Sequence, residues 1–103
     1  MPAPRLDKEG YLLDPNDWSE EWARETARGF HIDLTDEHWD AIRFMRAFYD
    51  EHRVPADARF VMRHLTETRG ARRNRLFELF PYGYPGQACK IAGMRRPRIW
   101  STG

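Results

Sequence analysis

The sequence predicts a mainly α-helical domain of the α+β class: a bundle of about five helices with a small N-terminal β-hairpin. Three observations point there. Apolar residues recur at helical spacing through the middle of the chain, capping residues stand ahead of these runs, and glycine or proline closes them. A chain of 103 residues has the length of one domain, 1–103, and its 41% hydrophobic and 14% aromatic content suffices for one core.

Taken in order, Asp7-Lys8-Glu9-Gly10 reads as a turn between two short arms, the second being Tyr11, Leu12 and Leu13, which gives the expected hairpin. Pro15 and Asn16 break it. Ser19 then caps a helix with Glu20 and Glu21 in its first turn, where carboxylates meet the positive end of the helix dipole, and Gly29 stops it. The strongest pattern is "TDEHWDAIRFMRAFYDEHR", capped by Thr35 and carrying Trp39, Ile42, Met45 and Phe48 or Tyr49 at helical spacing, so it should be the central core helix. Val54-Pro55 turns the chain, Asp57 caps a third helix with Phe60, Val61, His64 and Leu65 on its apolar face, and Gly70 ends it. A basic linker, "RGARRNR", leads to a short apolar helix at "LFELF". Then "PYGYPG" punctuates the chain, and Gln87 to Ala92 form a last short helix stopped by Gly93.

The net charge of +1 hides an asymmetry. Residues 1–60 hold 8 Lys or Arg against 14 Asp or Glu, a balance of −6, and residues 61–103 hold 9 against 2, a balance of +7. The halves should attract each other, and the basic half should attract anions. No apolar stretch reaches the roughly 18 to 20 residues of a membrane span, and "MPAPRLDKEG" lacks the apolar segment of a secretory signal, so a soluble, cytoplasmic protein is expected. His31, His38, His52 and His64 lack metal-ligand spacing, and there is no phosphate loop or nucleophile elbow, so neither a metal nor a cofactor is expected. Trp18, Trp22, Trp39 and Phe44 read as core.

The chemically distinctive residue is the single cysteine, Cys89, which cannot form an internal disulfide. Near the start of the last helix, free amides, the helix dipole and the neighbouring Lys90 would favour its thiolate, the reactive form. The same residue could instead pack inward beside Ile91 as a small apolar group. Arg95, Arg96 and Arg98, with Trp100, could bind nucleic acid through phosphate contacts and stacking, or an acidic groove on a protein. Arg72, Arg73 and Arg75 in the basic linker add a candidate anion- or partner-binding patch. The two helices joined at "EHRVP" have a helix-turn-helix outline, with only Arg63, His64 and Arg69 as polar readers, a thin set for base recognition.

The stretch "LFPYGYPGQACKIAG", preceded in order by "EGYL", "WSEEWA", "LTDEHWDAIRFMRAFYDEHRVP" and "LFELFP", resembles the DsrC/TusE sulfur-relay family. The resemblance implies a small helical protein with a short β-hairpin and a flexible C-terminal arm, here residues 94–103, that carries sulfur as a cysteine persulfide between protein partners, sulfite reductase-like or in a tRNA-thiolation relay. Such a protein is at most a sulfurtransferase-type carrier, not a self-contained enzyme. It also implies a role for Cys89, which matches the family's helix thiol. Aligned on "GMRRP", the principal sulfur-carrying thiol of two-cysteine members falls at Trp100, and an indole can neither accept sulfur nor close a disulfide with Cys89. Cys89 is then the one candidate catalytic residue, with Lys90, Arg95, Arg96, Arg98, Arg72, Arg73 and Arg75 as candidate binding residues. The other reading open at this point is a regulatory or adaptor relative without sulfur transfer, binding a partner or, through its helix-turn-helix-like element, DNA.

Overall fold

A computed structural model describes residues 4–95. Its helices are α1 (Glu20–Gly29), α2 (Asp36–His52), α3 (Ala58–Arg69), α4 (Arg75–Leu79) and α5 (Cys89–Ala92), with a 3-10 turn at Pro15–Asp17 and a π-helical turn at Tyr84–Ala88. The mainly helical expectation holds.

The N-terminal hairpin does not form. Among the described residues there is no strand, only an isolated antiparallel bridge between Leu6 and Leu12. The reason lies in the turn. Asp7 folds its carboxylate back to accept the amides of Glu9 at 2.9 Å and Tyr11 at 3.0 Å, and Gly10 takes the left-handed φ of 91° that this loop needs. The backbone then exchanges Asp7 N–H to Tyr11 C=O at 2.8 Å and Leu13 N–H to Arg5 C=O at 3.0 Å before Asp14 and Pro15 begin the 3-10 turn. Two bonds are too few for a ladder. The turn is tied to the rest of the fold instead, through the Tyr11 hydroxyl, which donates to the Pro85 carbonyl at 2.6 Å.

The helix starts follow the expected chemistry. The Ser19 hydroxyl accepts the Trp22 amide at 3.0 Å ahead of α1, and the Asp57 carboxylate accepts the Arg59 amide at 2.9 Å ahead of α3. At α2 the cap is completed by a histidine. His38 Nδ1 accepts the Thr35 amide at 3.0 Å and lies 2.8 Å from the Thr35 hydroxyl, while Nε2 lies 2.8 Å from the Leu79 carbonyl. A carbonyl can only accept, so Nε2 carries the proton and the ring is a neutral imidazole held in one tautomer. Burial pushes the His38 ring below the usual histidine value.

That shift carries a pH dependence. Unfolded, the ring titrates near ~6.5; folded, it resists the proton, so its contribution to stability is complete above that value and is lost as the pH falls below it. Urea midpoints should therefore decline below about pH 6.5, and His38→Gln, which can still donate to Leu79 but cannot titrate, should flatten the decline. An unchanged slope in the variant would assign the effect to another group.

Polar pairs tie α3 and α4 to α2. His64 Nε2 and Arg69 Nε lie 2.9 Å and 2.8 Å from the two carboxylate oxygens of Asp40, and Arg75 forks onto both oxygens of Glu37 while also reaching Glu78 at 3.2 Å. Ile42, Met45, Val61, Leu65 and Phe80 are wholly buried behind these pairs.

Among the described residues, the segment around α5 is the most deeply buried. Ala88, Cys89, Ile91 and Ala92 have no exposed surface and Met94 has 1%, because α5 packs against both α1 and α2. Small residues make this approach possible: Ala23 and Ala27 on α1 and Ala41 on α2 are all buried. Met94, the first residue of the expected arm at 94–103, is buried in the core; residues 96–103, with Arg96, Arg98 and Trp100, lie outside the described residues.

Candidate functional site

Gly83, at φ 107°, opens the π-helical turn, where Pro85 adds no N–H that would need a partner. The turn runs without a break into α5, so the helical stretch starts ahead of Cys89. The Cys89 amide donates to the Tyr84 carbonyl and is not a free first-turn donor. This corrects the expectation of a thiolate seated on open amides. Lys90 also stands elsewhere than expected: its ammonium lies 5.2 Å from the centre of the Tyr11 ring, on the N-terminal turn.

What adjoins the sulfur is a phenol. Tyr84, 1% exposed, donates its single hydroxyl proton to the Ala56 carbonyl at 2.6 Å. Burial pushes the Tyr84 hydroxyl well above its ordinary value, and the hydrogen-bonded Cys89 side chain beside it adds to the shift. Since that proton is committed to Ala56, the bond between the two side chains runs from the Cys89 S–H to the Tyr84 oxygen. The resting sulfur is a buried, hydrogen-bonded thiol.

Gln87, in the same turn, is 1% exposed; its Oε1 accepts the Tyr82 amide at 3.0 Å, and its Nε2 has no hydrogen-bond partner among the described residues.

The C-terminal end of α5 is clamped. Trp22 Nε1 donates to the Lys90 carbonyl at 3.1 Å, Trp18 Nε1 to the Ile91 carbonyl at 2.9 Å, and Arg46 Nη1 to the Ala92 carbonyl at 2.8 Å. Arg46 also donates through Nη2 to the Pro15 carbonyl at 2.9 Å and covers the Trp18 ring at 4.3 Å. Gly93, at φ 74°, closes a Schellman motif: its amide reaches Lys90 C=O at 3.2 Å and the Met94 amide reaches Cys89 C=O at 2.8 Å. A guanidinium at the negative end of the helix dipole adds to the fit. The sequence showed Trp18 and Trp22 only as core residues and did not single out Arg46. A half-buried indole N–H must find an acceptor, but which acceptor is a tertiary fact.

The basic candidates separate. Arg75 is engaged with Glu37 and Glu78, so it is a bond between helices and not an open anion site. Arg72, Arg73 and Arg95 are exposed, and Arg73 faces a groove between α3 and α4. His64 and Arg69, expected as readers of a helix-turn-helix, are both turned onto Asp40. Among the described residues, no group of three or more His, Cys, Asp or Glu could hold a metal ion, and no helix is long and apolar enough to cross a membrane.

Comparison with known proteins agrees with the resemblance. A family model described as "DsrC like protein" matches residues 3–99. The chain is 40% identical over 94 residues to "Sulfurtransferase TusE homolog" of Haemophilus influenzae, covering 88% of this chain and 86% of that protein. It is 39% identical over 94 residues to "Sulfurtransferase TusE" of Sodalis glossinidius, covering 88% and 87%. The fold matches the oxidized gamma-subunit of the dissimilatory sulfite reductase (DsrC) from Archaeoglobus fulgidus with a TM-score of 0.84 at 31% identity, over 95% of this chain and 92% of the other. It matches Allochromatium vinosum DsrC at 0.82 and 34%, over 95% and 90%. With nearly the whole chain matched in both sequence and fold, this protein belongs to the DsrC-like family.

Proposed function

We propose that the chain is a cytoplasmic sulfur-relay protein, receiving and passing on sulfur while docked to protein partners of a sulfite reductase-like or tRNA-thiolation type, with Cys89 as the sulfur-holding atom. The observation that supports this most is the family match over residues 3–99, which includes the "QACKIAG" segment around the single thiol of the sequence.

The chemistry balances without an oxidant. The Cys89 thiolate attacks the outer sulfur of a donor persulfide, a new S–S bond forms at Cys89, the donor's own S–S bond breaks, and the donor departs as a thiolate. Handing the sulfur on is the same exchange in reverse. Two conditions must be met first: the thiol must lose the proton it shares in a hydrogen bond with the Tyr84 oxygen, and the donor must reach a side chain with no exposed surface. Partner docking supplies both by displacing the Tyr84–Ala88 turn, the part of the site held by Tyr11, Tyr84 and Gln87 and lying outside the tryptophan–arginine clamp, which opens a path to the sulfur and admits water to take its proton.

Intact-mass measurement after incubation with glutathione persulfide tests the assignment. A gain of one sulfur, about 32 Da, that is absent in Cys89→Ser is expected. No adduct on the folded protein, even in the presence of a sulfur-relay partner, with ready alkylation of Cys89 in denaturant, would identify the thiol as a packing residue.

A further inference from the structure

A groove of about 980 Å³ opens between α3 and α4, away from the helix that carries Cys89. Its floor is Met62, Ala71 and Leu76, and Phe77 stands on its lip at 56% exposure. Three arginines line it, Arg59, Arg63 and Arg73, and no carboxylate does. Arg59 has Asp57 at 3.4 Å, but neither Arg63 nor Arg73 forms an ion pair with a carboxylate among the described residues.

An apolar floor in water favours any occupant that covers it, and unpaired guanidinium forks favour carboxylates with bidentate geometry. The chain's own segment 96–103, "RPRIWSTG", holds two arginines and no Asp or Glu side chain, so its side-chain charge does not complement the groove. We propose that the α3–α4 groove docks an acidic, amphipathic helical segment of a protein partner. Its apolar side chains lie on Met62, Leu76 and Phe77, and its carboxylates meet Arg63 and Arg73. The site stands apart from the sulfur step and holds whether or not Cys89 carries sulfur.

Fluorescence anisotropy on the full chain tests this, using a labelled peptide of about 14 residues with leucines at helical spacing and glutamates elsewhere, a scrambled peptide of the same composition, and an oligouridylate of similar length. Saturable binding of the patterned peptide is expected, weakened at least ~tenfold by scrambling and at least ~tenfold by the double change Arg63→Glu and Arg73→Glu. Phe77→Ser should also weaken it. These side chains are exposed, and circular dichroism should confirm that the variants fold. Equal binding of the scrambled peptide would reduce the effect to bulk charge and overturn the proposal. So would indifference to the charge reversal, oligouridylate binding without peptide binding, or self-association of the chain that Phe77→Ser abolishes.

Discussion

Gly93→Ala should destabilise the protein by about 2–5 kcal/mol, since a left-handed backbone costs a side chain about 1–2 kcal/mol and overpacking about 1–3. Gly93 sits at φ 74°, and an added Cβ would come within 2.6 Å of Trp18 Cδ1, 2.9 Å of Trp18 Cβ and 3.0 Å of Arg46 Nη1. Nothing there can give way, because Trp18 and Arg46 are themselves holding carbonyls of α5. In a thermal melt, the midpoint should fall by at least roughly 10 °C. Two other glycines provide the scale. Gly70, at φ 63° with open space around it, should show the conformational cost alone, and Gly29, with neither constraint, should tolerate alanine. If all three alanine variants melt together, the close approach at Gly93 is not limiting.

Arg46→Met should lose about 2–4 kcal/mol, combining about 1.5–3 for hydrogen bonds from a charged donor with about 0.5–1 or more for the cation–π contact. Methionine keeps much of the aliphatic stem and removes the fork, leaving the Ala92 and Pro15 carbonyls without their donor and Trp18 without its cation. Arg46→Lys, a point donor in place of a fork, should fall between the two. Chemical denaturation resolves the order; a methionine variant within about 0.5 kcal/mol of the parent would show that water replaces the clamp.

What the sequence revealed was local. Ser19, Asp57, Gly70 and Gly93 act within a few residues of themselves, and each does what its position suggested. The family could be read from quoted motifs for the same reason. The failures involve partners far along the chain, or side chains standing in for backbone. Asp7 makes its turn with a carboxylate, so a hairpin pattern yields a single bridge. Pro85 and Gly86 look like helix breakers, yet their segment is helical, which moves the helix start away from Cys89 and replaces open amides with the Tyr84 hydroxyl. The run of arginines at 72–75 looks like one patch, but Arg75 turns inward to Glu37, 38 residues away, while Arg73 faces the groove.

The total enclosure of Cys89 bears on what a bound sulfur would do. A sulfur bound there would have to be taken up inside the fold, and an atom added to a close-packed interior costs about 1–3 kcal/mol in overpacking. The loaded protein would then be the less comfortable of its two forms. Its cargo would be held under compression, and the relaxation of the interior on delivery would help push the atom toward whichever acceptor opens the way.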